Sequence, residues 1–225
     1  MVIRQRAIQT EDKEERHQAL LDAAERLLLR SPERMASVAE VAVEAGLAKG
    51  TVYLYFPSKE ELLLALHERN VQGFFRALGA LLDGDGPVTV ENILALTHAH
   101  MVDPPLFLPL ASRCFGLMAQ SIPVETAIAF KQRMAGRLER AGAGLERHFA
   151  TLAPGAGLVL LRHSYALILG LFQMAGAQGV CPGTATGHEP AILQFGYPDD
   201  LDRALTALWR GVVGEPAARV PRRPS

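Results

Sequence analysis

The chain has only two cysteines in 225 residues, Cys114 and Cys181, too few for a disulfide framework or a cysteine-based metal cluster. It also lacks charge of one sign: a formal net charge of −1 supplies no global attraction to nucleic acid. A long apolar run is missing as well. The longest uncharged stretch is Ser164 to Gly187, and its dense part, Tyr165 to Ala177, is 13 residues long before Gly179, Pro182 and Gly183 break it. A bilayer span needs about 20, so this stretch reads as a buried helix and no membrane partner is expected. The N-terminal MVIRQRAIQTEDKEE has no apolar centre of the kind a signal peptide carries. Glycine-rich phosphate loops, HExxH and GxSxG are all absent, which removes the common enzyme signatures. The expectation is a soluble, cytoplasmic, non-enzymatic protein without a cofactor.

What is present begins with a hydrophobic content of 49%, enough for a sizeable core. Residues 37–59, SVAEVAVEAGLAKGTVYLYFPSK, are the most informative. Ser37 and Glu40 have capping-box spacing. Val38, Val41, Ala42 and Ala45 share one helical face, and Gly46 stands where a left-handed residue ends a helix. A second short helix is expected from about Ala48 to Phe56, with Val52 and Phe56 inward and Lys49, Gly50, Thr51, Tyr53 and Tyr55 more exposed. Pro57 stops it, and Ser58 with Glu61 sets up another capping box. This is a helix-turn-helix whose second helix has the size and polarity to enter a DNA major groove. Lys49 and Gly50 at its start suit a phosphate. Thr51 offers a hydroxyl or a methyl to a base edge. Tyr53 and Tyr55 offer phenolic hydroxyls, and Lys59 can clamp the backbone from the next helix. Ala48 leaves that second helix without a capping oxygen.

The alanine-glycine turn, KGTVYLYF and the Ser-Lys-Glu start of a long helix together resemble the TetR family of bacterial transcriptional regulators. The resemblance covers about residues 10–66 closely and the remainder only in architecture. It implies DNA contacts at Lys49, Gly50, Thr51, Tyr53, Tyr55 and Lys59, and places Ser37 near a phosphate. One departure is charge: residues 1–60 hold nine Lys/Arg against ten Asp/Glu. Glu40 and Glu44 are expected to turn away from the DNA.

Beyond the motif the pattern is helical throughout, predicting an all-α fold of about nine helices. A first helix is expected from Glu11 to Arg30, with Leu20, Ala24, Leu27 and Leu28 inward. The segment before it, with Arg4 and Arg6, reads as a disordered tail or an arm along DNA. A fourth helix is expected from Lys59 to about Leu82, and others at 89–102, 105–120, 123–150, 155–178 and 199–213. The divisions expected are a DNA-binding domain at 1–58, a larger domain at 59–215 and a disordered tail at 216–225.

The resemblance implies that the larger domain dimerises and holds a small effector. Candidate effector contacts are the apolar Met101, Phe107, Phe115, Met118, Phe130, Met134 and Phe172, with His98, Arg113, Gln120 and His163 as polar groups; core packing is the rival reading for the Met and Phe set. The last two helices carry Leu160, Leu161, Leu167, Leu171, Leu205, Leu208 and Trp209, which fit either a dimer interface or an internal core. Gly170 and Gly176 would let helices approach closely. His98 and His100, two apart, do not share a helical face, so no metal site is expected. Cys114 reads as a redox sensor or a buried thiol. The expected function is a homodimeric regulator, a repressor released from a palindromic double-stranded DNA operator by an apolar effector. The alternatives are an activator and a helix-turn-helix scaffold for protein contacts.

Overall fold

In the computed structural model of the protein, residues 2–32, 34–177 and 196–214 are described, the side chains of residues 2–11, Ala119, Gln120 and Ala177 excepted. Among them all regular structure is helical: α1 (Val2–Arg30), α2 (Val38–Glu44), α3 (Lys49–Tyr55), α4 (Lys59–Asp83), α5 (Val90–Thr97), α6 (Phe107–Gln120), α7 (Val124–His148), α8 (Ala156–Ala177) and α9 (Asp199–Val213). A π-helical turn, His98–Val102, prolongs α5.

The largest departure from expectation is at the start. Helix α1 begins at Val2 and runs through Thr10, because nothing between them, neither glycine nor proline, interrupts a helix. The side chains of Arg4 and Arg6 lie outside the described residues, as do Cys181, the tail at 216–225 and most of the connection expected at 180–197.

The described residues gather into two compact units, one built from residues up to Gln72 with Pro104–Phe130, the other from Gly73–Asp103 with residues from Lys131 onward. In the first, Leu20, Leu21, Ala24 and Leu28 of α1 are buried together with Val38, Val41 and Ala42 of α2, Val52 of α3 and Phe56. Leu62, Leu63, Leu64 and Leu66 of α4 and Phe107, Leu110, Ala111 and Cys114 of α6 extend this core. Arg69 of α4 reaches Asp22 (2.5 Å) and Glu25 (2.7 Å) of α1, which ties the two helices along their polar edges.

In the second unit α9 buries Leu201, Leu205, Trp209 and Val213 at four-residue intervals, one stripe of a 3.6-residue period. Asp199, Asp200 and Asp202 occupy its first turn, where the helix dipole favours anions. Trp209 donates its indole N–H to Ser164 Oγ of α8 (2.9 Å), so its polar edge is satisfied inside the core. Helices α7 and α8 meet through Gly142 and Gly157. A Cβ on Gly157 would come within 2.3 Å of the Gly142 carbonyl oxygen, so only glycine permits that approach.

Candidate nucleic-acid interface

Helix α2 starts with the expected reciprocal cap. The Glu40 N–H donates to Ser37 Oγ (3.3 Å), and the Ser37 N–H donates to Glu40 Oε2 (2.8 Å). The helix ends in a Schellman arrangement: Leu47 N–H donates to the Ala42 carbonyl (2.9 Å) and Gly46 N–H to that of Val43 (3.1 Å), with Gly46 left-handed at φ 68°. Helix α3 follows after Ala48, which provides no side-chain cap. Ser58 then accepts from the Glu61 N–H (3.1 Å) and donates its hydroxyl to the Glu61 carboxylate (3.2 Å).

On α3, Val52 is buried while Lys49, Gly50, Tyr53 and Leu54 are exposed and Thr51 and Tyr55 half-buried. The Lys49 ammonium lies 6.0 Å from the centre of the Tyr53 ring, so the two present charge and phenol together. Lys49 makes no ion pair among the described residues; Lys59 makes a long one to Glu60 (3.8 Å). Tyr55 is turned partly inward, 6.4 Å from the His17 ring, and Phe56 stacks on the same histidine at 4.9 Å. Ser37 spends an acceptor on its cap and keeps a hydroxyl proton for a further partner.

Glu40 and Glu44 are both paired with arginines of their own chain. Glu44 is held by Arg26 (2.8 Å) and Arg30 (2.5 Å) of α1, and Glu40 by Arg34 (2.6 Å). Hydrogen bonds from Arg34 and Ser37 pull the Glu40 carboxyl down to about 2; those from Arg26 and Arg30 lower Glu44 as well. Three arginines among the described residues of the motif's surroundings are thus paired with carboxylates of their own chain.

The effector candidates are divided between the two units. Phe107, Arg113, Phe115, Met118 and Phe130 belong to the first unit, and His98, Met101, Met134, His163 and Phe172 to the second. Several have other employment. Arg113 donates to the Pro32 carbonyl, and Phe115 is 61% exposed. His98 bonds Asp202 (2.6 Å) and faces Asp103 (3.7 Å). His163 is exposed on α8, and Met118 and Met134 are half-buried. Met101 is buried, and Phe172 sets its ring edge-on to Tyr197 at 5.9 Å. The Gln120 side chain lies outside the described residues.

Phe107 and Phe130 are buried against a residue the sequence reading passed over. His67 of α4 lies 5.7 Å from the Phe107 ring and 6.4 Å from that of Phe130, with a buried Nδ1 that has no partner among the described residues. Burial pushes it down to about 4, against a small opposing pull from Glu68. The available signal was its place four residues after Leu63, on an apolar face. Close by in sequence to Phe107, Cys114 points its thiol at the Leu63 carbonyl (3.7 Å), and burial raises it to about 12.

The dimer candidates differ among themselves in burial. Leu160, Leu161, Leu205 and Trp209 are buried within a single chain, Trp209 at 1% exposure, because the stripes of α8 and α9 pack on each other. Leu167, Leu171 and Leu208 are half-buried. The exposed line on α8 is Val159, Arg162, His163, Ala166, Gln173 and Met174, recurring at helical spacing. The expected buried helix is therefore buried on one side only. Ala156–Gly176 is long and apolar enough to cross a membrane, yet its open face carries Arg162 and His163.

Comparison with known proteins agrees with this geometry. Residues 20–66 match the family model described as bacterial regulatory proteins, tetR family. Residues 68–216 match the tetracyclin repressor-like, C-terminal domain. The HTH-type transcriptional regulator EthR of Mycobacterium tuberculosis is 39% identical over 80 residues, 36% of this chain and 37% of its own. The fatty acid metabolism regulator protein of Bacillus subtilis is 30% identical over 66 residues, 29% of this chain and 34% of its own. The alignments thus span little more than a third of the length of the curated relatives. Among solved structures, a putative transcriptional regulator from Pseudomonas aeruginosa PAO1 is similar in fold, with TM-score 0.56 and 21% identity over 90% of this chain and 92% of that one. SmeT, the repressor of the Stenotrophomonas maltophilia multidrug efflux pump SmeDEF, has TM-score 0.50 and 22% identity, covering 88% of each chain. With family models matching one after the other from residue 20 to residue 216, the chain belongs to the TetR family of DNA-binding transcriptional regulators.

Proposed function

We propose that the protein is a homodimeric repressor that holds a roughly palindromic operator through α3 of each protomer and leaves it when a small apolar effector binds. The observation that carries this is the outward face of α3, where Lys49, Gly50 and Tyr53 stand clear of the core with Thr51 half-exposed among them, beside a left-handed Gly46 turn. Lys49 and Lys59 supply charge to phosphates, with Ser37, Tyr53 and Tyr55 as hydroxyl donors. Thr51 reads a base edge. In this reading residues 1–58 bind DNA and residues 59–215 hold the effector and the partner copy. Repression needs no further surface, since a dimer on an operator excludes other proteins from the same DNA.

The exposed face of α8 that runs from Val159 to Met174 takes the second copy. Val159, Ala166 and Met174 supply its apolar contacts, and Gly170, where a Cβ would meet nothing within 4 Å, leaves room for a close helix. Arg162 and His163 on that face fit a protein partner better than lipid, which supports a cytoplasmic protein. Effector and operator oppose each other by about 1–3 kcal/mol through linkage, with α4 as the element that moves.

The test is selection of genomic DNA fragments by the purified protein, with Thr51→Ala and Tyr53→Ala as controls. Enrichment of a palindrome that both controls lose supports the reading. Equal enrichment by the controls, or none by the wild type with or without metabolite extract, sinks it in favour of a protein-binding motif.

A further inference from the structure

Leu54 is 82% exposed on a seven-residue helix whose buried residue is Val52. A lone exposed leucine means little on a protein surface, so its neighbours decide. Four residues before it is Gly50, where an added Cβ would meet nothing within 4 Å. Three before it is Thr51, half-buried. At these spacings all three lie on one side of the helix. A flat glycine, a threonine and a protruding leucine form an apolar step, bordered by the Lys49–Tyr53 pair at 6.0 Å. Every other part of the exposed face of α3 offers charge or hydroxyl groups, so the step selects for something apolar at a polar interface.

Resting on the reading of α3 as the helix that enters the major groove, we propose that Leu54 is a specificity-determining residue that reads the C5-methyl group of a thymine, with Gly50 leaving the space the methyl fills. Thymine alone among the four bases presents a methyl in the major groove. Leu54 therefore distinguishes T·A from C·G without a hydrogen bond, which complements a helix with few base-reading polar groups. Burying one methyl group contributes about fourfold in affinity, equivalent to about 0.8 kcal/mol.

The experiment uses the full chain and the site it selects from genomic fragments. Each thymine is replaced in turn by deoxyuridine, which removes the methyl and nothing else. The wild type is expected to lose about fourfold at one position per half-site. Leu54→Ala is expected to bind the thymine site about fourfold more weakly and to be indifferent to uracil at that position. Leu54→Met retains the sensitivity. Val43→Ala, at an equally exposed apolar residue (82%) of α2, leaves it unchanged and controls for loss of apolar surface. If Leu54→Ala keeps full uracil sensitivity, or if no thymine is sensitive in the wild type, the inference is overturned while the DNA-binding reading stands. If the wild type selects no site at all, the reading itself fails and takes the inference with it.

Discussion

His67 and Cys114 are the residues whose chemistry burial alters most. A histidine held at about 4 by burial, against about 6.5 in an unfolded chain, takes up its proton first in the unfolded state. Its contribution is intact above pH 6.5 and is lost as the pH falls toward 4, a span of about 3 kcal/mol. Between pH 6.5 and 5 the carboxylates stay largely ionised while the seven histidines of the chain titrate, so the share of His67 is the difference in urea midpoints between the wild type and a variant that lacks it. His67→Leu is expected to flatten the curve there; an unchanged slope would place the titrating group elsewhere. Cys114, raised to about 12, has almost no thiolate at neutral pH. It should resist iodoacetamide at pH 8 in the folded protein and react at an ordinary rate in urea. Rapid labelling of the native protein would restore the redox-sensor reading. The sequence offered a buried thiol as one of two readings of Cys114 and only an apolar helical face for His67; the partners were not legible, since His67 meets rings from α6 and α7 and Cys114 meets a carbonyl from α4. Identity is local, but burial is set by chain segments far apart.

At the level of elements the opposite holds. The caps at Ser37 and Ser58 and the turn at Gly46 act over three to five residues, and these are the features that spacing alone predicted. Gly46→Ala would keep its φ of 68° only at a cost of about 1–2 kcal/mol, and nothing lies within 4 Å of the added carbon. The penalty is purely conformational, so Gly46→Asn should recover part of it in a thermal melt. Gly157→Ala differs in kind: its carbon would lie 2.3 Å from the Gly142 oxygen. Forcing α7 and α8 apart is expected to cost about 2–3 kcal/mol, with no rescue by any other residue. Equal melts for the alanine variants at 46 and 157 would contradict the difference. What spacing could not foresee was the split of stripes on α8 and α9. An apolar position looks alike whether it faces its own chain or a second copy, which is why Trp209 and Leu205 were candidates for both.

For the whole molecule the decisive quantity is the charge left for DNA. If Lys49 and Lys59 of each protomer are the phosphate contacts, a dimer neutralises about four phosphates, and the logarithm of affinity should fall with that of salt with a slope of about −4. Lys49→Ala should make the slope shallower by about 2. A slope near −10 in the wild type would mean that Arg26, Arg30 and Arg34 leave their carboxylates on binding. Assembly has its own test: Met174→Glu, on the open face of α8, is expected to yield a folded monomer in sedimentation and to abolish operator binding. A stable dimer would move the interface elsewhere.

The pairing of Arg26 and Arg30 with Glu44 also bears on how the protein spends its time in a cell. Random genomic DNA competes with an operator mainly through attraction of cations to the phosphate chain. A recognition unit that has already satisfied its arginines is held only briefly by each wrong sequence, and a smaller share of the molecules is sequestered along the chromosome. Occupancy of the operator then depends more on a few base contacts and less on copy number. A population of few molecules then suffices to keep the site filled.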